Sequence, residues 1–203
     1  MRQENVQSLL TKPISGQVGT AVFDLETNGL SFTNEDHRIH CIAIHWAEDG
    51  RTEAYNDERY ASEAKELPMG SNYSITTALS NLEVADVIVG HNIIGFDLPF
   101  IRELYPWFNP RGTIIDTLLL SRLYHPNLLD IDKKNAHKGM PTKLYGRHSL
   151  EAYGYRLGVY KGDFAKDTDW KEWSQEMQDN CIQDVKVTEK LCDHFHPYLT
   201  CSN

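Results

Sequence analysis

Apolar and polar positions along this chain follow two rhythms in turn. TAVFDLE (20–26) is a short apolar run, and strand alternation sets Val22, Asp24 and Glu26 on one face. RIHCIAIHWA (38–47) and RTEAY (51–55) are two further strand runs, separated by a turn signal at 48–50. Together the three predict an antiparallel meander. The rhythm then changes. SITTALSNLEVA (74–85) has helical spacing, with Ser74 placed to cap its start. DVIVGHN (86–92) reads as a buried strand, 95–104 as a helix, TIID (113–116) as a strand, and a helix continues to 123. The basic segment 125–147 lacks either rhythm and reads as a loop. HSLEAYGYRLG (148–158) predicts a helix stopped by Gly158, and a long final helix covers roughly 174–196. Residues 56–71 and 159–172 read as polar and irregular. Residues 1–19 read as a polar extension with one short helix at 6–10, leaving 20–203 as the main domain. Strands first, then alternation, then helices predict an α/β fold with a mixed central β-sheet flanked by helices.

Composition narrows the function classes. The chain has 203 residues, 40% hydrophobic and 24% charged, enough to bury a core without disulfides. No apolar run is long enough to span a bilayer, which predicts no membrane partner, and the first residues lack the pattern of a secretory signal. Cys41, Cys181, Cys192 and Cys201 form no C-x-x-C pair and read as reduced thiols of a cytosolic protein. The net charge of −9 argues against a protein that grips nucleic acid by bulk electrostatics. It leaves room for local binding through cations held by carboxylates, which add negative charge to the bare sequence.

Four carboxylates break the local pattern. Asp24 and Glu26 share a face of an apolar strand. Asp97 follows a buried strand and the polar step His91-Asn92. Asp184 falls inside the apolar stripe Met177, Cys181, Thr188, Leu191 and Phe195, with Asn180 one turn before it. A buried charge needs a cation or a firm partner. Taken singly, each acid also fits a helix cap or an ion pair. Taken together, acids at i and i+2 on a central strand, with two more at the ends of other elements, suit hard divalent cations, Mg²⁺ or Mn²⁺.

Three motifs carry a resemblance. FDLETNGL (23–30), HNIIGFD (91–97) and NCIQD (180–184) resemble, in order, the three motifs of the DEDD (DnaQ-like) 3′→5′ exonuclease superfamily. Within it, IDTLLLSRLYHPNLLD (115–130), GRHSLEAYGYRLG (146–158) and NCIQDVKVTEKL (180–191) resemble the proofreading domain of family A DNA polymerases of T-seven-type bacteriophages. The likeness runs over about 20–195 and is weak over about 48–75. It implies a ribonuclease H-like sheet and a two-metal hydrolysis of DNA, from single strands or frayed 3′ ends, to nucleoside 5′-monophosphates. It also implies a phage protein working in the host cytoplasm, either as the proofreading part of a polymerase or stand-alone, the latter with a separately encoded polymerase as a candidate partner. By position, Asp24, Glu26, Asp97 and Asp184 resemble the metal-binding acids. Thr27, Asn28 and Leu30 resemble residues that hold the terminal nucleotide, and Asn92 and Phe96 resemble residues that shape the pocket.

The chain departs from the pattern at one catalytic position. One branch of the family has Tyr four residues before the last acid, and another has His five before it. Here those positions are Asn180 and Asp179. Asn180 can hydrogen-bond a water but cannot act as a general base, a loss worth ~10²–10⁴ in rate. Two alternatives stand beside the main reading: a 3′→5′ exoribonuclease, because the same fold and acids serve RNA trimming, and, favoured by Asn180, a catalytically weakened single-strand-binding or polymerase-accessory module. The basic run from Lys133 to His148 suits strand phosphates or a solvated loop equally. Asp116 reads as a helix cap, His91 as structural, and Tyr153, Tyr155 and Tyr160 as packing residues.

Overall fold

The computed structural model describes residues 19–29, 37–57, 74–135, 137–159 and 171–199. Five strands form one sheet: β1 (Thr20–Thr27), β2 (Ile39–Trp46), β3 (Arg51–Tyr55), β4 (Val87–Gly90) and β5 (Thr113–Asp116). Their order is β3-β2-β1-β4-β5. β1 pairs antiparallel with β2, and β2 with β3. β4 runs parallel to both β1 and β5. This is the mixed sheet the alternation implies, with β1 at its centre. Six α-helices are described: α1 (Ile75–Val84), α2 (Asp97–Leu104), α3 (Thr117–Tyr124), α4 (Leu128–Asn135), α5 (Leu150–Leu157) and α6 (Gln175–Leu199).

The two sides of β1 face different partners. Ala21, Phe23 and Leu25 join Ile42, Ile44 and Trp46 of β2 against Ile75, Leu79 and Leu82 of α1. Val22 shares the opposite side with Cys41 and Ala43, packed against Met177, Cys181 and Val185 of α6. Strand alternation carries Asp24 and Glu26 onto this second side, facing α6. A third cluster, Leu128, Tyr153, Val187, Leu191 and Phe195, seats the far half of α6 on α4 and α5.

The helix ends follow their local chemistry. Ser74 accepts a hydrogen bond from the Thr77 amide, and Ser149 from the Ala152 amide, as N-caps do. Gly158 ends α5 at φ 69°, a left-handed turn that glycine takes without strain. Segment 125–147 departs from the loop expectation, because α4 and a single 3-10 turn (Thr142–Leu144) lie inside it. The inward positions of α4 are Leu128 and Asp132, so half of its buried stripe is a charge. Asp132 is fully buried and gripped by the Arg156 guanidinium at 2.9 and 2.8 Å and by the Gly146 amide at 2.8 Å. Burial alone raises its pKa, but these partners outweigh it and hold the carboxyl below its ordinary range. The expected helix at 6–10 and most of the expected irregular stretches, including Tyr160, lie outside the described residues. Among the described residues, no helix is long and apolar enough to cross a membrane.

Candidate active site

Asp24 and Glu26 sit two residues apart on β1, opposite Ala43 and Cys41 of β2. α6 crosses this face, tied to β1 by the Cys181 thiol, which donates to the Asp24 carbonyl at 3.3 Å. Burial, with Cys41 beside it, pushes the Cys181 thiol well above its ordinary pKa, so it stays a protonated donor. One turn further along, α6 delivers Asp184. Oxygens of Asp24, Glu26 and Asp184 all lie within 4.8 Å of one another, and all three residues are half-buried. Among the described residues this is the one group of three or more such side chains close enough to share a metal ion.

Asp97 stands apart from that trio. It is the first residue of α2 and only 4% exposed. Burial pushes its carboxyl up to about 7, and the charges of Asp116 and Glu26 push the same way. Its own amide and that of Leu25 donate hydrogen bonds and pull against this rise. The Leu25 amide and the Glu26 charge both act from β1, beside the trio.

Asn180 is buried, at 7% exposure, and its Nδ2 donates to Glu26 Oε1 at 2.8 Å. Its Oδ1 is also buried and has no hydrogen-bond partner among the described residues. A buried, unpaired carbonyl beside three carboxylates fits a site that takes a hydrated cation, whose water has protons to donate. The acidic cluster thus suits a hard divalent metal by its donor set.

The remaining expected residues fall around this centre. Thr27 is buried at the end of β1, and its hydroxyl donates to the Gly29 carbonyl at 2.7 Å. The Asn28 side chain accepts from the Arg38 amide at 2.8 Å, and the Asn28 amide donates to the Arg38 carbonyl. Leu30 lies outside the described residues. Phe96 packs partly buried against the core, 5.5 Å from the Phe100 ring. Asn92 is exposed and holds a left-handed φ of 66°, uncommon outside glycine. His91 bonds Thr117 through Nδ1 at 2.9 Å, and burial lowers its pKa to about 4, so it is a neutral structural ring.

Asp116 does cap α3, accepting from the Leu118 and Leu119 amides. Its carboxylate also reaches the turn before Asp97, a contact that a cap reading of the sequence missed. The signal available was weak: a single Asp between a strand and a helix.

No protein-family model matches the chain. It is 31% identical over 204 residues to a DNA-directed DNA polymerase of Enterobacteria phage T3, covering 87% of this chain and 27% of the relative. It is 37% identical over 139 residues to a DNA-directed DNA polymerase of Escherichia phage T7, covering 55% of this chain and 20% of the relative. The chain therefore spans about a quarter of the length of these relatives. Among solved structures, the family B DNA polymerase from the archaeon Pyrobaculum calidifontis superposes with a TM-score of 0.55 at 16% identity, covering 88% of this chain and 24% of that one. Brucella melitensis NrnC bound to pGG superposes with a TM-score of 0.52 at 16% identity, covering 88% of this chain and 74% of that one. The last two likenesses bear on the fold alone. The phage relatives bear out the kinship read from the three motifs.

Proposed function

We propose that this chain, a ribonuclease H-like (DnaQ-like) fold related to the phage T3 and T7 polymerases, is a metal-dependent 3′→5′ exonuclease acting on DNA. One observation carries the reading. Three carboxylates from two elements, Asp24, Glu26 and Asp184, converge within 4.8 Å. Carboxylate oxygens this close form a ligand set suited to a hard divalent cation. Asp24, Glu26, Asp97 and Asp184 would hold two divalent cations, Mg²⁺ or Mn²⁺. When bound, such ions supply Lewis-acid polarisation of the scissile phosphate and lower the pKa of the attacking water.

The chain's own groups do the rest. Asn180 orients Glu26 through its amide and leaves Oδ1 free to accept a proton-bearing group in the site. It cannot take up a proton itself, so it positions water without acting as a base. Thr27 and Asn28 close the end of β1, where the 3′-terminal nucleotide would rest, and Leu30, in the same sequence motif, would help to hold it. Phe96 and Asn92 shape the approach from the α2 side. The product would be a nucleoside 5′-monophosphate. The same activity serves a stand-alone enzyme, one partnered with a separate polymerase, or a polymerase's proofreading part.

The Asn at position 180 favours a second reading, a weakened site that binds single strands without shortening them. A 5′-labelled single-stranded DNA incubated with the protein and Mg²⁺ or Mn²⁺ separates the two. A ladder shortening from the 3′ end, absent with EDTA and absent for Asp24→Ala, is the expected result. An unchanged oligomer that is still bound favours the second reading. An RNA of the same sequence, run in parallel, decides between DNA and RNA as substrate.

A further inference from the structure

We infer that Asp116 is a positioning residue for Asp97: a single carboxylate pins the turn that carries Asp97 to the site. Asp116 ends β5 and is 5% exposed. Its Oδ1 accepts from the amides of Leu118 at 2.9 Å and Leu119 at 3.3 Å, which is the helix cap. The same Oδ1 accepts from the Asn92 amide at 3.0 Å, and Oδ2 accepts from the Ile94 amide at 3.1 Å. A cap needs only the first pair. The second pair belongs to the turn between β4 and α2.

The rest of that turn is anchored by Ile93, fully buried in the core, whose carbonyl accepts from the Leu98 amide at 2.9 Å. Asn92 takes a left-handed φ of 66°, a conformation that needs support in a residue with a side chain. Its carbonyl accepts from the Gly95 and Phe96 amides at 3.0 and 2.9 Å, closing the turn immediately before Asp97. Asp116 satisfies the amides at 92 and 94, and the Asn92 carbonyl those at 95 and 96. Thr117 adds a second tie, donating to the Gly90 carbonyl at 3.1 Å. With its inward amides held, the turn fixes where the first turn of α2 begins, and so where the Asp97 carboxyl lies relative to β1. The Asp116 charge also falls on Asp97 and contributes to its raised pKa.

The inference rests on the reading of Asp97 as a cation ligand. Asp116→Ser tests it, because serine caps helices nearly as well as aspartate but has one oxygen and cannot span both pairs of amides. Three quantities are measured: thermal stability, hydrogen exchange at the Asn92 and Ile94 amides, and Mn²⁺ binding by calorimetry. Expected are a melting temperature within a few degrees of wild type, about tenfold faster exchange at Ile94, and about tenfold weaker Mn²⁺ binding, the factor set by a lost hydrogen bond to a charged acceptor. Nuclease rate should fall at low Mn²⁺ and recover at high Mn²⁺. Wild-type exchange and Mn²⁺ affinity in the serine variant would overturn the inference. So would equal losses at every amide, which mark a general loss of stability. If the serine variant does not fold, Asp116→Asn, which keeps one oxygen for the cap and turns a donor toward one turn amide, is read the same way. Failure of the underlying reading looks different: wild type binds no Mn²⁺, or Asp97→Ala binds it as wild type does.

Discussion

Replacing Asn180 with alanine separates catalysis from folding at one position. Among the described residues the wild-type side chain makes one hydrogen bond, Nδ2 to Glu26 Oε1 at 2.8 Å, in a place only 7% exposed. A hydrogen bond to a charged group contributes about 1.5–3 kcal/mol. At 1.4 kcal/mol per tenfold, its loss lowers activity by about 10- to 150-fold if all of it acts on the bound metal and the transition state. Stability should respond differently. The same side chain leaves Oδ1 buried without a partner, a penalty of about 1–3 kcal/mol in the metal-free protein, which alanine removes. The loss and the relief offset one another, so metal-free thermal unfolding should shift little. The assay is single-turnover digestion of a 5′-labelled oligonucleotide at several Mg²⁺ concentrations, beside scanning calorimetry without metal. A rate within about threefold of wild type at low Mg²⁺ would refute the argument that this hydrogen bond serves the reaction.

Other perturbations test other parts of the molecule. Asp184→Asn removes one of the three clustered carboxylates, so stabilisation by Mn²⁺ should disappear in thermal melts. In wild type, Mn²⁺ at a hundred times its Kd should add about 2.7 kcal/mol, a rise of roughly 5–10 °C reversed by EDTA. His91 has its pKa lowered by burial from 6.5 to about 4, so between those values the unfolded chain takes up a proton that the folded chain does not. Its contribution is intact above pH 6.5 and is lost as pH falls toward 4, up to about 3 kcal/mol; His91→Gln should flatten that limb in melts across pH. Asp132→Ala strands a buried Arg156 that is 6% exposed at its side chain. It should cost about 3–5 kcal/mol in urea unfolding, and a double change to apolar residues at 132 and 156 should recover much of it.

Several features were open to a reading of the sequence alone because they depend on neighbours in the chain. Alternation in β1 put Asp24 and Glu26 on one face, and the period of α6 put Asp184 among Met177, Cys181 and Thr188. Ser74, Asp116 and Gly158 marked helix ends by chemistry that acts within one turn. Other features were settled only when distant segments met. α4 escaped notice because its inward residue, Asp132, is made tolerable by Arg156, 24 positions away. Asn180 gained its contact from Glu26, 154 positions away, and nothing near residue 180 announces it. The grip of Asp116 on the turn before Asp97 follows from the parallel pairing of β4 with β5, which brings Gly90 opposite Asp116. Which elements form, and which acids are out of pattern, depends on local propensity and periodicity. Which charges meet, and what each hydrogen bond holds in place, depends on sheet register and helix packing, and these are properties of the whole fold.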